Sequence, residues 1–311
     1  MRILVTGASG LLGLNLCLEK VKEHDIYGIV HQTQLANVPF TLIRHDLTNK
    51  NTISKIFNKT KPELVINCAA IANVDQCEKH PNQAAKINSE VPGYLAKNCA
   101  KRAIPFIHIS TDAVFDGEKG DYKETDVPNP LSIYAKTKLE GEKRVLDTNP
   151  AALIARVNFF GFSITGRRSL AEFFLGSLIS SNKVFGYFDI LFSPMYVNDL
   201  VETLFNMLKN KLTGIYHVVS PDHLSKYDFG ILISEKFNLD GSIITPESYL
   251  KGNLIAERSP NLFLDVSKLL STGIEVPKVA LAVDHFHSDY ADGLSNRIQS
   301  FYGGDRLLEE A

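Results

Sequence analysis

The chain has 311 residues, of which 44% are hydrophobic and 22% are charged, and its formal net charge is −2 at pH 7. This composition is typical of a globular protein with one large domain or two moderate ones. The balanced charge gives no reason to expect nucleic acid as a partner, and no uncharged apolar run is long enough to predict a membrane span.

Short apolar runs alternate with amphipathic stretches along the first half of the chain. In chain order they predict strand 2–6, helix 11–23, strands 25–30 and 40–46, helix 51–60, strand 63–70, helix 83–103, strand 105–110, helix 134–148 and strand 152–157. Apolar strands separated by helices indicate an α/β fold with a doubly wound parallel (Rossmann) sheet that is covered on both faces.

The alternation becomes less regular after Asn158. A helix flanked by loops is predicted within 162–192, a turn into a helix at 193–210, a strand at 214–219 and a helix at 225–237. We therefore expect a dinucleotide-binding domain from residues 1–157 plus 193–217. Residues 158–192 plus 218–311 would form a smaller C-terminal substrate-binding region.

The cysteines are scattered along the chain without a CxxC pair, at Cys17, Cys68, Cys77 and Cys99. This pattern predicts a reduced, cytoplasmic protein, and no metal site is expected. The first residues lack the basic segment and unbroken apolar core of a signal peptide.

A glycine cluster, TGASGLLG at 6–13, follows the first predicted strand and opens the first predicted helix. Gly7 would allow a sharp turn, Gly10 a close approach to a diphosphate, and Gly13 close packing of the helix on the strand. The spacing is GxxGxxG, and a plain tight turn is the alternative reading. The predicted cofactor contacts of this loop are Gly7, Ser9, Gly10, Leu11 and Leu12.

The end of the second predicted strand indicates which dinucleotide is bound. It reads Val30-His31-Gln32 and carries no acidic residue for the adenosine ribose of NAD. We expect NADP(H), with NAD(H) as the alternative, and His31 and Gln32 as cofactor contacts. They could equally be ordinary residues of a strand end.

Two further strand ends supply candidate cofactor contacts. Asp46 and Leu47 follow the third strand, where Asp46 could bind the adenine amino group or cap the next helix. Ala69 and Ala70 follow the strand at 63–70, and their small side chains would let a cofactor lie against the backbone. Asn88, on the next helix, is expected to support the neighbouring loop.

A tyrosine and a lysine stand four residues apart in YAKTK, at Tyr134 and Lys138. This spacing places both side chains on one helix face. The ordinary pKa of tyrosine is about 10, and a nearby ammonium would lower it and allow proton transfer near neutral pH. Ser110 and Thr111 offer hydroxyl groups at the end of a preceding strand, although a simple turn is the alternative there.

Together these segments resemble an extended short-chain dehydrogenase/reductase, and more closely the dTDP-4-dehydrorhamnose reductase family. The matching segments are TGASGLLG, NCAAIANVDQCE, ISTDAVFDG, YKETDVPNPLSIYAKTKLEGEK, SPMYVNDL, GIYHVVS and ERSPNLFLD. The resemblance implies that Thr111, Tyr134 and Lys138 are catalytic. It also implies a nucleotide-diphospho-sugar substrate that is held by the C-terminal region.

The sequence departs from the family pattern where a substrate would lie. The family usually has tyrosine at Ala113 and glycine at Ala135, and often tryptophan at Asn158, while its common Arg-Pro pair appears here as Arg258-Ser259. The particular sugar is therefore open. The predicted substrate contacts are Thr111, Ala113, Asn158, Arg167 and Arg258, with Arg168 a weaker candidate.

The resemblance predicts an NADP(H)-dependent reductase of a 4-keto group on a nucleotide-diphospho-deoxysugar, with Tyr134 as the proton donor. One alternative is an epimerase or dehydratase of the same superfamily, but a dehydratase usually carries an acidic pair where Asp112-Ala113 offers one acid. Another is a non-catalytic NADP-binding regulatory subunit, because the chain also resembles the methionine adenosyltransferase regulatory β subunit. A homodimer is compatible with each reading.

Overall fold

Seven parallel strands form the central sheet of the protein, whose computed structural model describes residues 1–251 and 259–305. Three of them, Leu64–Asn67, Phe106–Thr111 and Leu153–Val157, are buried along their whole length, as expected of strands covered on both faces. In chain order the strands are β1 (Arg2–Thr6), β2 (Asp25–Val30), β3 (Thr41–Arg44), β4 (Leu64–Asn67), β5 (Phe106–Thr111), β6 (Leu153–Val157) and β7 (Gly214–Val218).

The strand order across the sheet is β3-β2-β1-β4-β5-β6-β7. The chain moves outward from β1 to β3 and then returns to the other side of β1, so that Ile3 pairs with Ile26 of β2 and with Leu64 of β4. The carboxyl ends of β1 and β4 therefore flank the point where the strand order reverses. Open α/β sheets bind their ligands at this point.

Alternate residues of each strand point to opposite faces of the sheet, and each face has its own apolar core. Ile3 and Val5 belong to one core, and Leu4 belongs to the other. The helices of the first half of the chain are α1 (Leu11–Lys20), α2 (Lys50–Thr60), α3 (Val74–Lys79), α4 (Pro81–Ala85), α5 (Val91–Ala100) and α6 (Ile133–Thr148). The predicted doubly wound α/β fold is confirmed.

The helix predicted over 83–103 is interrupted. Between α4 and α5 the residues Lys86–Glu90 form a π-helical turn. Pro92 lies in the first turn of α5 and has no N–H to donate to the carbonyl four residues earlier, which favours such a break. At Gly141 of α6 a Cβ would stand only 2.3 Å from the carbonyl oxygen of Asn88, so α6 approaches the turn closely.

The second half of the chain adds further helices and pairs of short strands. Its aromatic core includes the stacked rings of Phe162 and Phe286, whose centroids are 4.2 Å apart. The helices are α7 (Leu170–Ile179), α8 (Val197–Lys209), α9 (Lys226–Lys236), α10 (Ser267–Leu270), α11 (Val279–Ala291) and α12 (Leu294–Gln299). No helix within 1–251 and 259–305 is long and apolar enough to cross a membrane.

The short strands outside the central sheet form small separate sheets. Val184–Tyr187 pairs with Ile244–Glu247, Phe159–Phe160 with Met195–Tyr196, and Thr33–Leu35 with Tyr302–Asp305. A three-stranded sheet joins the remaining strands, which are Leu191–Phe192, Leu224–Ser225 and Asn261–Leu262.

Candidate active site

The glycine loop joins β1 to α1 in a geometry that requires glycine. Gly7 has φ +69°, and a Cβ there would lie 2.8 Å from the backbone of Ala69. At Gly13 a Cβ would lie 2.3 Å from the Gly7 carbonyl oxygen, so only glycine lets the helix pack this closely on the turn. Gly10 donates its N–H to the same carbonyl oxygen at 2.9 Å.

The first turn of α1 is suited to an anion. Gly10 is the N-cap residue and provides no side-chain cap, and the first turn contains no acidic residue. The backbone N–H groups at this end and the helix dipole therefore favour negative charge. Ser9 and Leu11 are partly exposed, whereas Leu12 is buried in the core and offers its backbone alone to the loop surface.

The end of β2 lies beside an arginine that local sequence inspection did not find. Because β2 and β3 are parallel, Val30 pairs with Arg44. The Arg44 guanidinium donates to the carbonyl oxygens of His31 and Gln32 at 3.3 and 3.4 Å, and all three side chains are exposed. A positive charge thus stands where the sequence suggested a 2′-phosphate.

Asp46 does not cap the following helix. Its carboxylate accepts the N–H of Thr48 at 2.8 Å in a local turn, while Asn49 is the N-cap residue of α2. Asp46 is exposed at the edge of the sheet and remains a candidate adenine contact. Leu47 is buried in the core.

The loop after β4 is held in place by buried polar groups. The Ala69 N–H donates to the Thr6 hydroxyl at 3.2 Å. Asn88, on the π-helical turn, accepts the N–H of Ile71 at 2.9 Å and donates to its carbonyl oxygen at 3.1 Å. Ala69 is partly exposed and Ala70 exposed, so both lie on the surface of a loop whose backbone is fixed.

The predicted triad meets at the carboxyl edge of the sheet. Thr111 ends β5, while Tyr134 and Lys138 lie in the first two turns of α6, which Ser132 caps. The Lys138 ammonium donates to the Ile109 carbonyl oxygen at 2.5 Å. Lys138 is only 3% exposed, whereas Tyr134 is partly exposed.

Burial governs the protonation of this tyrosine and lysine. It raises the pKa of Tyr134 to about 12; the Thr111 hydroxyl acts against this rise, and Asp112 adds to it. Burial also lowers the pKa of Lys138 to about 8, although Glu142 favours the ammonium. Desolvation is therefore the larger effect on the pKa of Tyr134 in this structure, and it outweighs the lowering expected from a nearby ammonium.

A buried ion pair lies behind Lys138 and was not found from the sequence. Glu142 lies one helical turn further along α6, and its carboxylate accepts a hydrogen bond from the Arg156 guanidinium at 2.8 Å. The two residues are 1% and 2% exposed. The Ser110 hydroxyl donates to the same carboxylate at 2.5 Å. The Ser110 hydroxyl therefore supports this ion pair.

Three predicted substrate contacts surround Asp112. Thr111 donates to the Asp112 carboxylate at 2.9 Å, and the Asn158 amide donates to it at 2.6 Å. The Ala113 N–H donates back to the Thr111 hydroxyl at 3.2 Å. Burial raises the pKa of Asp112, and its hydrogen bonds from Asn158 and Thr111 oppose that rise.

The predicted arginines are not all in one place. Arg167 and Arg168 are exposed in the loop before α7, and the Arg168 guanidinium donates to the Ser9 carbonyl oxygen of the glycine loop at 3.1 Å. Arg258 lies outside the described residues.

A cavity of about 460 Å³ lies between α7 and the strand Val184–Tyr187. Its lining includes Phe173, Phe185 and Lys226. Lys226 also acts on Asp112, whose pKa its charge lowers. A second cavity, of about 470 Å³, includes Arg2 in its lining and lies at the amino-terminal edge of the sheet.

Known proteins are similar to this chain in sequence. The family described as the RmlD substrate binding domain matches residues 1–291. The probable low-salt glycan biosynthesis reductase Agl14 of Haloferax volcanii is 34% identical over 276 residues, which are 86% of this chain and 91% of that protein. Methionine adenosyltransferase 2 subunit beta of Bos taurus is 32% identical over 284 residues, which are 88% of this chain and 83% of that protein.

A solved structure extends the likeness to three dimensions. The dTDP-4-dehydrorhamnose reductase of Bacillus anthracis in complex with NADP has a TM-score of 0.83 and is 25% identical, with 93% of this chain and 99% of that chain covered. The motifs, the sheet order and these relatives agree, and the chain belongs to the RmlD substrate binding domain family, the dTDP-4-dehydrorhamnose reductase family that its motifs predicted.

Proposed function

We propose that the protein is an NADP(H)-dependent reductase of a 4-keto group on a nucleotide-diphospho-deoxysugar. One observation carries the proposal: Thr111, Tyr134 and Lys138 come together at the carboxyl edge of the sheet, where the strand order also brings the glycine loop. A glycine loop alone would support any dinucleotide-binding role. The hydroxyl, phenol and ammonium beside it are the groups that carbonyl reduction needs.

The residues present fit a nicotinamide dinucleotide. Gly7 lets the loop pack against the backbone of Ala69, where a Cβ would lie 2.8 Å away, and the N-terminus of α1 offers N–H groups to a diphosphate. Arg44 beside His31 favours NADP(H), because a guanidinium binds phosphate oxygens strongly. Asp46 and the loop at Ala69 would hold the adenine and the adjoining part of the cofactor.

In this proposal each triad residue has a separate role. When bound, the cofactor supplies the hydride. Tyr134 keeps its proton at neutral pH, because burial raises its pKa to about 12, and donates that proton to the sugar oxygen. The Thr111 hydroxyl, which donates to Asp112 in this structure, would turn to donate to the same oxygen. Lys138 binds the nicotinamide ribose, and its charge stabilises the phenolate that proton donation leaves behind.

The substrate would occupy the C-terminal side of the site. We assign residues 1–157 plus 193–217 to cofactor binding and 158–192 plus 218–311 to substrate binding. The cavity that includes Lys226 and Phe185 is large enough for part of a nucleotide sugar, and the Lys226 charge acts on Asp112. Asn158 and Ala113 lie at the junction, where the chain departs from its family.

A second function is favoured by a specific likeness. At 32% identity the chain is about as similar to a methionine adenosyltransferase subunit as to the reductase Agl14, at 34%, so an NADP-binding regulatory subunit is the competing proposal. An epimerase or dehydratase is less favoured. The single acid after Thr111, Asp112, is already hydrogen-bonded by Thr111 and Asn158.

The deciding experiment follows cofactor oxidation across a panel of 4-keto nucleotide sugars that differ in base and sugar. Turnover of at least one substrate by the wild type, lost in Tyr134→Phe, would support the reductase. Tight NADPH binding without turnover of any member would instead favour the regulatory subunit.

A further inference from the structure

We infer that Arg168, which belongs to the loop before α7, binds the diphosphate of the cofactor together with the glycine loop. This inference rests on the proposed cofactor site. It starts from one contact: the Arg168 guanidinium donates to the Ser9 carbonyl oxygen at 3.1 Å. Ser9 and Arg168 are 159 positions apart in the sequence, so the fold places this cation on the loop that would hold the diphosphate.

A buried polar cluster fixes the backbone of Arg168 and leaves its side chain outside. The Arg168 N–H donates to the Glu172 carboxylate at 2.9 Å, and the same carboxylate accepts the N–H of Ser163 at 2.6 Å. Ser169 forms a capping box with Glu172 at the start of α7. Ser163, Ser169 and Glu172 are all buried, whereas Arg168 is exposed. The arginine therefore stands on a fixed support.

The charge of Arg168 has no counter-charge in the described part of the chain. Its guanidinium forms no ion pair with a residue of 1–251 or 259–305, and its one side-chain hydrogen bond there is to Ser9. It also stands near the N-terminus of α1, a ten-residue helix without an acidic residue in its first turn. A cation at the positive end of a helix is unfavourable, and a bound anion reverses that effect. A diphosphate that accepts from both groups would satisfy them.

Arg168 also connects the two halves of the proposed site. The helix that follows it, α7, lines the cavity beside Lys226 through Leu170, Phe173 and Ser177. A diphosphate bound by Arg168 would thus hold the start of the helix that contacts the proposed substrate. The arginine contributes affinity for the part of the cofactor that NADPH and NADH share, and it does not contribute to the choice between them.

Calorimetric titration of NADPH and NADH tests this role in the wild type, Arg168→Met and Arg297→Met. Loss of a charge-assisted hydrogen bond to the diphosphate should weaken both cofactors by the same factor, roughly tenfold or more. Arg297→Met removes an equal charge from an exposed position of α12 and should leave both affinities unchanged. Arg168→Lys, which keeps the charge without the planar fork, should recover part of the affinity.

Wild-type affinity in Arg168→Met would overturn the inference and leave the proposed function standing. Equal weakening in Arg297→Met would also overturn it, because general charge attraction would then explain the effect. If the wild type bound neither cofactor, both the inference and the proposed function would fail.

Discussion

At the scale of single residues, burial keeps the Tyr134 phenol protonated at the candidate site. It raises the pKa of Tyr134 to about 12, which suits a proton donor rather than a base near neutral pH. Tyr134→Phe removes one oxygen and little volume. We expect the rate of reduction to fall by at least ~10²-fold, the lower range for a positioned general acid. NADPH affinity should barely change, since the glycine loop does not contact that oxygen. Full activity of the variant on a competent substrate would contradict the mechanism.

The titration of Lys138 predicts how the free energy of unfolding and the rate of reduction change with pH. Burial lowers its pKa from 10.5 to about 8, so between these values the folded protein loses a proton that the unfolded chain keeps. The free energy of unfolding of the wild type should therefore rise with pH in this window, relative to Lys138→Met. Reduction by the wild type should fall above pH 8, as the ammonium is lost. Denaturant unfolding and steady-state rates over the same pH range measure both effects.

Lys138→Met should also weaken NADPH binding and turnover together, because the ammonium is proposed to contact the ribose and to stabilise the phenolate. This separates it from Tyr134→Phe, which should affect turnover alone. A stability difference between wild type and Lys138→Met that stayed constant with pH would show that the lysine is not desolvated as described.

At the scale of elements, a substitution in the glycine loop can remove cofactor binding without unfolding the protein. Gly10 has φ −77°, which any residue can adopt, and a Cβ there would meet only the Gly7 carbonyl oxygen, at 3.2 Å. We expect Gly10→Val to abolish cofactor binding while the protein stays folded, because the valine would fill the space where the diphosphate approaches. Calorimetry with NADPH and circular dichroism test the two parts.

Gly13→Ala is the control for Gly10→Val, because it should lower the stability of the fold. Its new methyl group would lie 2.3 Å from the Gly7 carbonyl oxygen, so the backbone of the turn must move. Such overpacking should lower the free energy of unfolding by about 1–3 kcal/mol. A stable Gly10 variant that still bound NADPH at wild-type affinity would show that the cofactor lies elsewhere.

At the scale of the whole molecule, features that depend on local pattern could be predicted from the sequence. The apolar runs predicted all seven strands of the sheet, and the resemblance predicted the three residues of the triad. The long helix over 83–103 was missed in detail because its π-helical turn depends on packing against Gly141 as well as on Pro92. Helical periodicity carries no information about such packing.

Contacts between distant segments were the other limit. The Glu142–Arg156 ion pair joins a helix to a strand, and Arg168 contacts Ser9, which lies 159 positions earlier in the chain. Each residue is unremarkable in its local sequence, and its partner is known only once the strands are ordered. The substrate side remains a proposal also because Arg258 lies outside the described residues.

The order of the sheet leads to the prediction on cofactor choice. Because β3 lies beside β2, Arg44 reaches the end of β2, where no arginine stands in the sequence itself. Arg44→Met should weaken NADPH roughly tenfold or more and leave NADH almost unchanged, since NADPH alone carries the 2′-phosphate. Arg102→Met removes an equal charge at the amino-terminal edge of the sheet and is the control variant. Equal weakening of NADPH and NADH would show that Arg44 contacts a part of the cofactor other than the 2′-phosphate. Arg44→Met should thus weaken NADPH alone, whereas Arg168→Met should weaken both cofactors, so the two variants together separate the 2′-phosphate from the diphosphate.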